Sequence, residues 1–207
     1  MAKKIHVATN VKDEHLIETR RQQIVSSAIQ LFREKGFHRT TTREIAASAG
    51  FSIGTLYEYI RSKEDVLYLV CDSIFTRVME AITQFPEGIN ALDTLKLGIN
   101  QYYHLIDRMP EEFTIMYQET KSLPKAKMQY VLTKELEMVA IFEQMLKNCR
   151  TEQNLLLSDD EIYAAANQIV VQGQSWAFRK WALSNRFTIG QYIDTETKLL
   201  LNGLLHR

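Results

Sequence analysis

The chain has 207 residues, is 45% hydrophobic and carries no net charge, with 3 prolines and 8 glycines. This is a globular composition, long enough for one or two buried cores and biased towards an all-helical fold; no apolar run nears the ~18 residues of a membrane span, and no repeat or low-complexity segment is visible. The zero charge hides two opposed halves: residues 1–63 hold 11 Lys and Arg against 6 Asp and Glu, and residues 64–207 hold 14 against 19, the footprint expected of a nucleic-acid-binding head on an acidic body.

Residues 1–14 are polar and patternless and include Lys3, Lys4 and Lys12. They read either as a disordered tail or as a basic arm reaching along a DNA backbone. A first helix is expected from His15 to Lys35, where Ile17, Ile24, Ala28, Leu31 and Phe32 recur at helical spacing and Gly36 stops it. Arg20 and Arg21 near its start are either phosphate contacts or solvated charges. The stretch from Thr40 to Lys63 then reads as two short helices and a tight turn. Thr41 and Thr42 cap the second helix, which carries Glu44 in its first turn and Ile45 and Ala49 on one face. Gly50 ends it, since glycine takes the left-handed conformation without steric cost. Ser52 caps the third helix, Ile53 to Ile60, with Ile53, Leu56 and Ile60 inward and Gly54, Thr55, Tyr57, Glu58 and Tyr59 outward. Two helices joined this way match a helix-turn-helix, whose second member enters the DNA major groove. A glycine at 54 lets the backbone approach DNA, and hydroxyls at Ser52, Thr55, Tyr57 and Tyr59 suit phosphates or a thymine methyl.

Ser62 and Asp65 form a capping box for a long fourth helix running to Phe85-Pro86, about 34 Å at ~1.5 Å per residue. It leads from head to body without a flexible linker. Further helices are expected over Asn90 to Arg108, Phe113 to Ser122, Pro124 to about Arg150, Ser158 to about Leu183 and Thr188 to about Leu205, nine in all. Tyr102, Tyr103, Ile106, Phe113, Met116, Tyr117, Met138, Phe142, Met145, Trp176 and Phe178 load these helices with aromatics and methionines, as core filling or as the lining of an apolar pocket. Arg179 is either an anchor for an anionic ligand or a surface charge. Ala164, Ala165, Ala166, Gly173 and Ala177 keep the eighth helix thin, which permits close helix approach. The ninth offers an apolar stripe of Ile189, Tyr192, Ile193, Leu199, Leu200 and Leu204.

Taken together, Gly36-Phe37, Thr41-Thr42, Ile45-Ala46, Ala49-Gly50, Ser52, Gly54-Thr55-Leu56-Tyr57, Tyr59 and Ser62-Lys63-Glu64 resemble the N-terminal domain of the tetracycline-repressor (TetR) family, over roughly residues 16 to 70. Phe51 and Ile60 depart from the usual pattern but stay apolar. The resemblance implies a flexible arm at 1–14, a helix-turn-helix domain at 15–63 and a ligand-binding and dimerisation domain at 64–207. It implies DNA contacts from Thr42, Arg43, Ser52, Gly54, Thr55, Tyr57, Tyr59 and Lys63, with Thr42, Tyr57, Tyr59 and Lys63 on phosphates. It further implies a body cavity lined by some of Tyr102, Tyr103, Ile106, Phe113, Met116, Tyr117, Met138, Phe142, Met145, Trp176 and Arg179, a fourth helix that ligand binding moves, and a homodimer through the eighth and ninth helices. A dimer also follows from the DNA side, because one short helix reads too few base pairs to be selective alone.

The expected function is therefore a ligand-responsive transcriptional regulator, a repressor binding a palindromic operator as a homodimer. The apolar body favours a lipophilic effector, acyl-type or aromatic, since a sugar or amino acid demands several buried polar partners. Two isolated cysteines, Cys71 and Cys149, and no signal-peptide pattern point to the cytoplasm. The scattered histidines lack zinc-site spacing, and no phosphate-binding loop, dinucleotide turn or nucleophile elbow appears, so no metal, cofactor or catalytic residue is expected. The competing class is a helical enzyme or ligand carrier built on the body, against which the basic head counts.

Overall fold

The computed structural model of the chain describes residues 3–205; Met1 and Ala2 of the expected arm, and His206, lie outside the described residues. Ten α-helices follow in order: α1 (Glu14–Lys35), α2 (Thr42–Ser48), α3 (Ile53–Tyr59), α4 (Lys63–Ile82), α5 (Ala91–Arg108), α6 (Pro110–Glu119), α7 (Lys125–Gln153), α8 (Asp159–Phe178), α9 (Lys180–Leu183) and α10 (Ile189–Leu205). A 3₁₀ turn, Thr120–Ser122, lies between α6 and α7, and no strand occurs among the described residues.

The helix starts follow from local chemistry. Thr41 and Glu44 form a reciprocal capping box on α2, and Ser158 and Glu161 form one on α8. At α4, the Ser62 N–H donates to Asp65 Oδ2 at 2.9 Å and the Asp65 N–H to Ser62 Oγ at 3.2 Å, the same device. Gly50 closes α2 with φ of 75°, and the N–H groups of Phe51 and Gly50 donate to the carbonyls of Ala46 and Ala47 at 2.8 and 3.2 Å, the paired bonds of a Schellman motif. Where an expected boundary moved, the cause is visible. Helix α7 continues to Gln153, into the expected loop, and ends at Asn154 with φ of 53°, a conformation asparagine tolerates. The expected eighth helix breaks at Arg179, whose φ of −113° and ψ of 17° leave the helical region. On either side of that break the Asp107 carboxylate takes bonds from the Trp176 indole and the Lys180 ammonium, both at 2.8 Å. Among the described residues the count is therefore ten rather than nine, and the expected ninth helix is α10.

Packing divides the chain into two units, Met1–Phe75 with Thr114–Thr133 and Thr76–Phe113 with Lys134–Arg207. In the first, α1, α2 and α3 pack on one another around Ile24, Ala28, Phe32, Ile45 and Leu56, all buried. Polar bonds tie α7 to α4 inside this unit: Lys127 pairs with Asp65, and the Tyr130 hydroxyl donates to Asp72 at 2.5 Å. In the second, α5 lies against α8 and α10, and α9 follows α8. Its core holds Ile99, Tyr102, Tyr103, Ile106, Phe142, Ile169 and Trp176. Among the described residues no helix is long and apolar enough to cross a membrane.

Candidate functional site

The outer surface of α3 is built from its N-terminal end. Ser52 accepts the Thr55 N–H at 3.0 Å and bonds the Thr55 hydroxyl at 2.9 Å, holding both hydroxyl groups at the start of the helix. Gly54 is exposed, its φ is ordinary, and a Cβ built on it would meet only Ser52 Oγ at 3.7 Å. The fold itself therefore has no need of glycine there, although glycine costs a helix roughly 1 kcal/mol relative to alanine. Tyr57 stands out from the same face, 39% exposed, and its hydroxyl meets the Thr42 hydroxyl at 3.1 Å, joining the start of α2 to the surface of α3. Arg43 is exposed beside them. The structure thus brings Thr42, Arg43, Ser52, Gly54, Thr55 and Tyr57 onto one surface region.

Two of the expected DNA contacts are corrected. Tyr59 does not face outward: it is buried at 4% exposure, because it is the last residue of α3 and lies at i+3 from buried Leu56, on the inward face of the helix. The Lys63 ammonium is already engaged. It donates to the carbonyls of Phe37, His38 and Thr40 at 2.7, 3.2 and 2.9 Å and lies 4.3 Å from the Phe37 ring centroid. An ammonium has three protons, and all three have acceptors here; Lys63 holds the loop between α1 and α2. Arg21 has a similar internal role, donating to Tyr59 O and Val7 O, and burial lowers its pKa. Arg20 bonds Gln23 and lies over the Phe51 ring instead.

The expected arm is also not a loose tail over the described residues. Val7 is buried, the Ile5 N–H donates to the Tyr68 hydroxyl at 2.9 Å, and Lys4 pairs with Asp72. Burial, with Asp72 adding to it, pushes the Tyr68 hydroxyl up to about 12. These long-range partners carry no local signal in the sequence, whereas the caps do.

The expected ligand residues separate into three groups. Tyr102, Tyr103, Ile106, Phe113, Met138, Phe142, Met145 and Trp176 are all buried in the second unit. Tyr102 alone meets the rings of Phe142, Tyr103 and Phe113 at 5.6, 6.0 and 6.3 Å between centroids. A cavity beside Tyr103, Ile169 and Thr197 measures about 10 Å³, room for about one water. The group is thus packed as a core. Larger recesses of about 480 and 590 Å³ open to solvent along α5 and are lined by none of these residues. Met116 is buried but belongs to the first unit. Tyr117 and Arg179 are corrected: Tyr117 is 68% exposed, and Arg179 is an exposed helix cap whose guanidinium lies 6.0 Å from the Trp181 ring.

Residue patterning missed one polar group inside this core. The Gln174 amide donates to both Glu135 oxygens at 3.2 and 3.0 Å, and beside it the fully buried Tyr102 hydroxyl has no partner in hydrogen-bond geometry among the described residues. Burial raises the Glu135 carboxyl pKa, Gln174 opposing only in part, and raises the Tyr102 hydroxyl well above its usual range, with Glu135 adding to it. Among the described residues no group of three or more His, Cys, Asp or Glu is placed to hold a metal.

Residues 24–68 match the family description "Bacterial regulatory proteins, tetR family". Along nearly its whole length the chain is similar to the HTH-type transcriptional regulator HbdR of Aromatoleum sp. (strain CIB), at 29% identity over 200 residues, 96% of this chain and 86% of that protein. In three dimensions it is similar to a bacterial regulatory protein in the tetR family from Rhodococcus RHA1, with a TM-score of 0.76 and 25% identity, covering 87% of this chain and 96% of the other. It shares its fold with AibR in complex with isovaleryl coenzyme A and operator DNA, with a TM-score of 0.72 and 19% identity, covering 87% and 97%.

Proposed function

The chain belongs to the tetR family of bacterial regulatory proteins, a DNA-binding transcriptional regulator and not an enzyme, and on that premise we propose that it is a cytoplasmic repressor that grips a palindromic operator as a homodimer and is released by a lipophilic effector. The observation that carries the DNA half is Gly54. A glycine that the fold does not require, flanked by the hydroxyls of Ser52, Thr55 and Tyr57, fits a helix whose backbone must come within reach of phosphates or base edges. Thr42 and Arg43 extend this contact surface. In this reading residues 15–63 bind DNA and residues 64–207 bind the ligand and the second subunit, through α8 and α10. The exposed apolar side chains on those helices, Tyr163, Val171 and Leu199, support that pairing.

For the effector, the buried aromatic and methionine group of α5, α7 and α8 opens to receive an acyl or aromatic body. That a protein of this fold is described with isovaleryl coenzyme A and operator DNA supports the acyl arm. Effector binding acts by moving α4, with a coupling of about 1–3 kcal/mol. The test is operator release across acyl-coenzyme A thioesters, free fatty acids, aromatic cations and polar metabolites. Release by thioesters or aromatics is the expected outcome; release by polar metabolites alone refutes the apolar-pocket reading.

A further inference from the structure

Helix α3 has seven residues, so the carbonyls of its last turn are a large share of its backbone bonds, and the orphan carbonyls at a helix end need partners from elsewhere. It has no basic residue in its last turn, and extended Ile60 follows it in place of a glycine cap. Most of the partners come from residues well before it in the chain. Glu58 O accepts the Asn10 N–H at 3.0 Å and the Thr9 hydroxyl at 2.8 Å. Tyr59 O accepts from Arg21, which also donates to Val7 O at 2.6 Å. Tyr57 O accepts from Arg61 at 3.3 Å, and the same guanidinium donates to Asn10 Oδ1 at 2.6 Å. Buried Val7 and the bond from the Ile5 N–H to the Tyr68 hydroxyl pin this segment in place.

We propose that residues 4–10 are a positioning strap: they cap the C-terminal end of α3 and thereby fix the helix that reads DNA, while making no DNA contact of their own. The one Lys within these residues, Lys4, pairs with Asp72, and Arg21 and Arg61 beside them donate to strap and helix carbonyls. The proposal rests on α3 being the recognition helix. It deepens that reading by naming what holds the helix, which lies outside the segment that matches the family description.

The test uses the full-length protein at a temperature well below its unfolding midpoint. Thr9→Val with Asn10→Ala removes the two side-chain bonds at solvent-exposed positions; Val7→Asp ejects the strap; Asn10→Asp keeps the acceptor for Arg61. Amide exchange of residues 56–60 is measured without DNA, and operator affinity is measured against salt. The expected result for the paired variant is faster exchange at α3 and operator affinity lower by about tenfold, as for loss of a helix cap plus one charged hydrogen bond, with the salt slope unchanged and Asn10→Asp close to wild type. Val7→Asp behaves the same way more strongly, and should it not fold, the paired variant decides. Unchanged exchange and affinity in the paired variant overturn the strap. Unchanged exchange with a shallower salt slope also overturns it, in favour of direct phosphate contact. If wild type binds no operator while exchange responds as expected, the recognition-helix reading fails and the capping stands.

Discussion

Substituting alanine for Gly173 sets two effects of opposite sign against each other. Removing a glycine from a helix interior stabilises by up to about 1 kcal/mol. Yet a Cβ at this position would lie 2.8 Å from Tyr103 Cε1 and 2.9 Å from Tyr102 Cε1. Carbon atoms prefer about 3.5 Å or more, so both rings would have to retreat by roughly 0.6 Å. Neither is free to do so. The Tyr103 hydroxyl donates to Ile169 O at 3.0 Å on α8 itself, and Tyr102 is hemmed in by Phe113 and Phe142. Overpacking of this kind costs about 1–3 kcal/mol, and weakening the Tyr103 bond adds about 1. The net expectation for Gly173→Ala is a loss of about 1–3 kcal/mol, a fall in midpoint of roughly 3–10 °C for a chain of this length. Gly190→Ala, with nothing within 4 Å of the added carbon, is the control and should be neutral or mildly stabilising. Thermal unfolding by circular dichroism at two protein concentrations reads both. The contact lies within one chain, so the difference between Gly173→Ala and wild type should not change on dilution. A Gly173→Ala midpoint at or above wild type would refute the packing account.

Lys63→Ala should destabilise the head by about 1–3 kcal/mol, since three carbonyls lose a charged donor, and leave the salt slope of operator binding unchanged; a slope lower by about one unit in a titration would show Lys63 on phosphate instead. Glu135→Gln keeps an acceptor for Gln174 and removes a carboxyl whose pKa burial raises above its ordinary 4.5. Ionisation therefore lags in the folded state, and wild-type stability falls as pH rises above about 4.5. The variant's advantage in urea unfolding should be absent at pH 4 and present at pH 7, and an equal advantage at both would count against the buried-carboxyl account. Leu199→Glu, on the exposed apolar face of α10, should turn a dimer into a monomer in sedimentation, by placing a charge in a desolvated interface. A wild-type monomer at micromolar concentration sinks the dimer reading.

What could be read from the sequence was local. Thr41 with Glu44, Ser52, Ser62 with Asp65, and Ser158 with Glu161 each satisfy backbone groups within three residues, so the residue types alone disclose the helix starts. Gly50 is equally local. What could not be read depends on partners far along the chain. Nothing near Lys63 reveals that the carbonyls of Phe37, His38 and Thr40 will surround it, and nothing near Thr9 points to Glu58. Gly173 looked like a surface for a second subunit, but its neighbours are two tyrosines of α5. Tyr59, by contrast, was legible: at i+3 from Leu56 it falls on the inward face of α3, so periodicity itself argues against an outward position. For Tyr102 and Phe142 the ring types signalled burial correctly, yet periodicity cannot distinguish a filled core from a cavity wall.

The first packing unit is discontinuous: residues 114–133 pack with residues up to Phe75, through Lys127 on Asp65, Tyr130 on Asp72 and Glu119 beside His38 at 3.6 Å. Modular exchange is constrained by this. A graft that swaps residues 1–63 between relatives separates His38 from Glu119, and Arg61 and Ser62 from Asp65, and a single crossover cannot carry both stretches. Recombination, in a genome or in a cloning vessel, would have to transfer two distant pieces of sequence in one event. If α3 reads the operator as proposed, new operator preferences are reached more readily by point substitution on its exposed face, where Gly54 leaves room that folding does not claim.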